Sequence, residues 1–295
     1  MKDGLYQKLL VIGMGSKSDM PLFEGTTLDG KTIDRYFHSK HIRVYHQATP
    51  IGGHSPEYMI TSIHRTTLDA IGYAGDMKKM VVENQKVAAV FAGGLAFALP
   101  GVMAAESAVV PVIAVPMDED AFHNTYLIPD GSPVGNVEVS SLRKGLLMAE
   151  RILNYDKSKG VNLIVDGNCK SADGVRKYLK DFIGEFKEPA DSLPHYDGLT
   201  VCLSDRKNAL WDLDAKVELG IFGLEKNIST ETGMNAATHL ENSLIVGRPV
   251  NLALYAARIV GLSDNNVMKK LLDYRMKEAE KYPKRLAIQH DLDFV

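Results

Sequence analysis

Cysteine is scarce in this sequence. Two thiols, Cys169 and Cys202, serve 295 residues. They stand far apart and form no CxxC pair. That argues against a disulfide framework and a zinc-ligand spacing, and it fits a reducing compartment. An excess of charge is also missing: 34 Lys and Arg stand against 37 Asp and Glu, for a net charge of -3. Such a balance leaves no electrostatic footprint for nucleic acid or an acidic membrane surface. Small anionic substrates stay open, because they are captured locally. No stretch approaches the roughly 18 apolar residues of a membrane span. The opening MKDGLYQKLLVIGMG has only a short apolar run, too short for a signal-peptide core with a cleavage site. The expectation is a cytoplasmic protein with no nucleic-acid or membrane partner.

What the chain does have is 45% hydrophobic content, enough for one large domain or two of about 150 residues. Short apolar runs at 8–14, 41–47, 86–92 and 109–116 each break into Gly, Pro or Ser turns and read as buried strands. Residues 140–154 place Leu142, Leu146, Ala149, Ile152 and Leu153 at helical spacing. Near-continuous apolar strands alternating with helices predict an α/β fold, a parallel sheet covered on both faces.

Residues 155–160 are polar, end in Gly160 and read as a linker. Beyond them the pattern restarts, with strands at 161–166, 199–205, 217–224 and 244–250 and a helix at 251–262. A charged amphipathic helix over about 264–282 closes it. VIGMGSKSDM in the first half is echoed by LIVDGNCKSADG in the second. AERIL after Pro133-Val134 is echoed by AARIV after Pro249-Val250. These echoes predict two degenerate repeats, 1–156 and 161–295. An unrelated appended domain is the alternative.

The strongest chemical signal is Gly15-Ser16-Lys17-Ser18-Asp19, directly after a buried strand. The glycine allows a sharp turn. The two hydroxyls and the backbone N–H groups beyond it can hold a phosphate, and Asp19 can accept from ribose hydroxyls. An ordinary turn with Ser or Asp as a helix N-cap fits the same residues.

Further motifs follow in order. Ser62-Ile63-His64-Arg65-Thr66-Thr67 comes first, then AGGLAFALPGVMAAESAVVPVIAVP, then GSPVGNVEVS. With GSKSD they resemble the PurE family, the carboxyaminoimidazole ribonucleotide mutases and phosphoribosylaminoimidazole carboxylases, over about half the chain. The resemblance implies a three-layer αβα sandwich with a parallel, flavodoxin-like sheet. It implies carboxyl transfer onto C4 of an aminoimidazole ribonucleotide in purine biosynthesis, from the substrate's own carbamate or from carbon dioxide. It implies no metal and no organic cofactor. Carried over, Gly15, Ser16, Ser18, Asp19, Ser62 and Arg65 bind phosphate and ribose, and His64 is the acid/base. Gly93, Gly94, Leu99, Pro100 and Gly101 form the pocket that holds carbon dioxide away from water.

The chain departs from the family pattern at three places. The stretch from Asp19 to His64 is longer than the family spacing. HIRVYHQATP lies near the expected distance, so His46 is the alternative acid/base, with 49–61 as an insertion. His54 is a more remote candidate. The family's histidine before Leu-Pro-Gly is Ala98 here, and Phe97 is bulkier than its alanine. After the fourth strand, Asp118, Glu119 and Asp120 replace a neutral loop, either to bind a different ligand group or a metal or, as the preferred reading, as a solvated acidic turn. These changes touch the imidazole end of the site more than the phosphate end.

In the second half, Asn235-Ala236-Ala237-Thr238-His239-Leu240 resembles the motif lost around Ala98. Family members assemble as octamers, so a tandem chain would form a homotetramer in which His239 could complete a site. The last helix would then pack against a neighbour, or else on its own domain. The loop at 166–171 lacks a serine-aspartate pair and reads as scaffold. Two other readings stay open: a related carboxylase acting on another nucleotide, and a non-catalytic nucleotide-binding protein.

Overall fold

The computed structural model describes residues 7–15, 19–46, 59–60, 67–94, 97–189, 195–225 and 230–281. The first half runs β1 (Lys8–Met14), α1 (Met20–Gly25), β2 (Thr27–Leu28), β3 (Lys31–Thr32), α2 (Ile33–Ser39), β4 (Arg43–His46) and β5 (Met59–Ile60). It continues through α3 (Thr67–Val82), β6 (Lys86–Gly93), α4 (Leu99–Ser107), β7 (Val112–Pro116), α5 (Glu119–Tyr126), β8 (Val134–Asn136) and α6 (Leu142–Asn154). The second half runs β9 (Val161–Asp166), α7 (Ala172–Phe182), β10 (Tyr196–Ser204), α8 (Lys207–Asp214), β11 (Val217–Leu224) and α9 (Thr230–Thr238). It ends with β12 (Ser243–Val246), α10 (Pro249–Gly261) and α11 (Asn265–Glu280).

One sheet carries both halves, in the order β4-β1-β6-β7-β8-β12-β11-β10-β9, with β5 also pairing β1. Every pairing in it is parallel except β8 with β12, which meet through Asn136 and Ile245. Numbered along the chain, the first half has the order 2-1-3-4-5 of flavodoxin-like sheets. The second half has the same order once a bridge is included. Lys187 exchanges backbone hydrogen bonds with Val161 and Leu163 and so lies beside β9, as β4 lies beside β1.

Both sheet faces are buried, which is why strands such as KVAAVFAG and VIAVP are apolar throughout. Val201, Leu203, Leu244 and Val246 face one apolar cluster with α7 and α10. Cys202, Ile164 and Ile245 face another, filled by Phe122, Tyr126, Leu210, Leu213, Ala236 and Ala237. Alternate residues of one strand thus enter different layers, as a three-layer αβα sandwich requires. Gly145 lets α6 sit close on β7: a Cβ there would stand 2.8 Å from Val115.

The expected strands at 8–14 and 86–92 and the helix at 140–154 are found. The strand expected at 109–116 starts at Val112, and that at 41–47 spans Arg43–His46. The short strands β5 and β8 were not foreseen, since two or three residues carry no periodicity. Pro133 and Pro249 are not equivalent: the first precedes strand β8 and the second opens helix α10. The last helix, α11, packs on its own chain. Its Val267, Met268 and Leu271 are buried, its Tyr274 meets Tyr178 and Phe182 of α7, and its Lys270 donates to the Asp181 and Phe182 carbonyls.

Candidate active site

The C-terminal ends of β1, β6 and β7 are neighbours, and the strand order reverses at β1. Crevices at such points are where open α/β sheets bind ligands. Gly15 leaves β1 and donates its N–H to the Ala92 carbonyl at 2.9 Å. A Cβ on Gly15 would lie 3.9 Å from the Gly93 Cα and 4.0 Å from Asp19 Oδ2. Asp19 is 8% exposed. It stands at the N-cap of α1, yet its side chain makes no capping hydrogen bond. The capping explanation of this aspartate therefore fails, and its carboxylate lies beside Gly15.

Gly93 and Gly94 end β6, and neighbouring side chains make both glycines necessary. A Cβ on Gly93 would stand 2.6 Å from the Phe97 ring, and one on Gly94 would stand 2.6 Å from Asp118 Oδ2. The chain then turns into α4 through Leu99 and Pro100, both buried, and Gly101, which lies against Ile128. Asp118 follows β7 and caps α5, its Oδ1 accepting from the Ala121 N–H at 2.7 Å. Glu119 and Asp120 occupy the exposed first turn of α5, where the helix dipole favours acidic groups. The acidic turn is therefore solvated at Glu119 and Asp120, and it forms the start of a helix, which was not expected.

Gly15, Asp19, Gly93 and Gly94 thus stand together at adjacent strand ends, and Leu99, Pro100 and Gly101 open the helix that follows β6. Ser16, Ser18, Ser62, His64 and Arg65 lie outside the described residues, as does His54 and most of 49–61. The backbone of His46 closes β4, paired with Ile12. His239 is exposed, and its ring lies 4.3 Å from that of Trp211 on α8.

In the equivalent crevice of the second half, side chains of that half occupy the loop donors beside a cavity of about 450 Å³ lined by Ser171, Glu225, Gly247 and Arg248. Asp205 Oδ2 accepts the Asn168 N–H, and Glu225 accepts both the N–H and the hydroxyl of Ser171. Asp166 accepts from Ser204 and from the Arg206 guanidinium. Carboxylates therefore take loop donors that a phosphate would need. Cys169 lies in this loop as a thiol whose pKa burial pushes up to about 11. No pattern of spacing announced Asp205 and Glu225, because each lies on a different strand end from the loop it caps.

The AIR carboxylase family model matches residues 9–166, more than half of the chain and every strand from β1 to β9. The chain belongs to the AIR carboxylase family. This is the PurE family to which the GSKSD and Leu-Pro-Gly motifs pointed. At family level it is a mutase- or carboxylase-type enzyme of purine biosynthesis acting on a small-molecule nucleotide. Among curated proteins, the chain is similar to the N5-carboxyaminoimidazole ribonucleotide mutase of Methanocaldococcus jannaschii. The two are 27% identical over 141 residues, covering 46% of this chain and 85% of that protein. It is also similar to an arginase of Bacillus subtilis, 24% identical over 212 residues, covering 63% of this chain and 70% of that one. Among the described residues, no helix is long and apolar enough to cross a membrane, and no group of three His, Cys, Asp or Glu side chains could hold a metal ion.

Proposed function

We propose that this AIR carboxylase family member moves a carboxyl group onto C4 of aminoimidazole ribonucleotide. The observation that carries the reading is the meeting of Gly15, Asp19, Gly93, Gly94 and the start of α4 at three adjacent strand ends. Ser16, Ser18, Ser62 and Arg65 hold the phosphate and ribose, with Asp19 on the ribose hydroxyls. His64 is the acid/base, a role suited to a side chain whose pKa lies near neutral pH. With a carbamate substrate, the N–C bond breaks, carbon dioxide leaves and His64 gives its proton to the nitrogen. C4 then attacks the carbon dioxide, and His64 recovers a proton from C4. The buried Leu99 and Pro100 keep water from the freed carbon dioxide.

The second half acts as a degenerate repeat. What supports this is the recurrence of the 2-1-3-4-5 order around β9. A homotetramer of such tandem chains reproduces an octameric set of units, and light scattering tests it: a monomer overturns the tetramer.

The decisive assay mixes the protein with aminoimidazole ribonucleotide and bicarbonate, or with the carbamate, and follows C4-carboxylated product by ultraviolet absorbance. Product from wild type and none from His64→Ala supports the reading. Loss in His46→Ala instead moves the role to the alternative histidine, and loss in His239→Ala implies a site completed by a second chain. A second reading keeps the nucleotide and changes the chemistry at its base. The Phe97 ring packed over Gly93 favours it, since the ring fills space at the imidazole end. Binding without turnover would select that reading.

A further inference from the structure

The second half reaches into the first through Arg258 of α10. This side chain is 2% exposed. Its Nη2 donates to the Ala104 carbonyl at 2.8 Å and its Nη1 to the Val110 carbonyl at 3.0 Å. Among the described residues no carboxylate pairs with it, and its Nε finds no hydrogen-bond partner. Burial pushes its pKa down to about 9, which leaves it charged at neutral pH.

The two carbonyls explain why a charge is kept there. Ala104 lies in the last turn of α4, where the helix leaves carbonyls short of partners and its dipole is negative. The chain leaves α4 through Ala108 at φ 59°, a left-handed value that costs an alanine energy. Such a turn persists only where its surroundings hold it, and Arg258 bonds on both sides of it. Another tie at that end is the half-exposed pair of Glu106 with Arg275 of α11, at 3.8 Å. The N-cap of α4 is Ala98, which has no side-chain donor or acceptor, and the helix is apolar from Leu99 to Ala105. Its first residues, Leu99, Pro100 and Gly101, are those proposed to form the pocket.

We propose that Arg258 is a positioning residue for the carboxyl-transfer site, fixing the far end of α4 so that its near end keeps the pocket in register. The inference rests on the proposed reaction. It gives the second half a task in the chemistry of the first, although its own loop donors are taken by Asp205 and Glu225. The phosphate end is carried by β1, whereas the hydrogen bonds of Arg258 go to the Ala104 and Val110 carbonyls, so the two ends of the site respond differently when Arg258 is changed.

The test compares Arg258→Met and Arg258→Lys with Leu271→Ala, a buried truncation in α11. All are assayed in the full chain at a temperature where circular dichroism shows each folded. Arg258→Met is expected to lower kcat about tenfold, since small misplacements of a pocket cost that order of rate, with KM changed less than about twofold. Arg258→Lys, which keeps one donor, is expected to recover part of kcat. Leu271→Ala is expected to lose stability with kcat intact. Amide hydrogen exchange supplies the readout that does not depend on the substrate: residues 101–105 exchange faster in Arg258→Met than in Leu271→Ala. Equal exchange and an unchanged kcat in Arg258→Met overturn the inference. If wild type shows no turnover of the imidazole nucleotide, the proposed reaction fails, and the exchange comparison still decides whether Arg258 positions α4. Should Arg258→Met not fold, Arg258→Lys and Arg258→Gln carry the same comparison.

Discussion

Oδ2 of Asp118 lies 2.6 Å from the place a Cβ would take on Gly94, while Oδ1 of the same carboxylate holds the Ala121 N–H at 2.7 Å. One side chain thus caps α5 and presses on the glycine loop of β6. Gly94→Ala must therefore push Asp118 away and release the cap. The expected cost is about 1 kcal/mol, the usual worth of such a cap, together with weaker nucleotide binding. Chemical denaturation and a binding titration check both, and full stability in Gly94→Ala would contradict the contact.

Gly93 and Phe97 make a second coupled pair. Gly93→Ala overpacks against the ring and should cost about 1–3 kcal/mol. In a Phe97→Ala background the same change meets no ring and should cost much less. A double-mutant cycle measures the difference, and strict additivity would show that ring and glycine do not touch.

Asp19 makes no capping hydrogen bond, so Asp19→Asn removes no helix cap and is expected to act more on binding than on the melting temperature. The same change should weaken nucleotide binding about tenfold, from the loss of a charge-assisted hydrogen bond to a ribose hydroxyl. Calorimetry of both quantities tests the pair of outcomes. A large loss of stability with unaltered affinity would place the carboxylate in a structural role.

Binding stoichiometry should be one nucleotide per chain. The second loop has already given the Asn168 N–H to Asp205, and the N–H and hydroxyl of Ser171 to Glu225. Two nucleotides per chain in a titration would mean that those carboxylates are displaced by ligand.

A pH dependence follows from α2. The Tyr36 hydroxyl donates to Glu150 Oε2 at 2.8 Å, and burial, with that carboxylate beside it, raises its pKa to about 12. The folded state therefore holds this proton more tightly than the unfolded chain, whose tyrosine titrates near pH 10. The stabilisation is complete below about pH 10 and is lost as the pH rises toward about 12. Tyr36→Phe should cost about 1 kcal/mol at pH 8, with the difference from wild type shrinking at pH 11 in urea titrations.

The sequence by itself determined the layered α/β class, the long strands, α6 and α10, and the family. Those features rest on local periodicity, glycine turns and ordered motifs, all of which are contiguous in the chain. Tertiary structure alone decided the rest. Only the sheet order brings Lys187 beside β9, β8 against β12 and Asp118 against Gly94. Only the packed core puts Arg258 on carbonyls more than a hundred residues away, where a buried guanidinium finds its partners in a helix end and not in a carboxylate. The last helix carried an apolar stripe that fits a neighbour or its own domain equally well. Tyr178 and Phe182 of α7 decided for its own domain, because a hydrophobic stripe specifies burial but not what buries it.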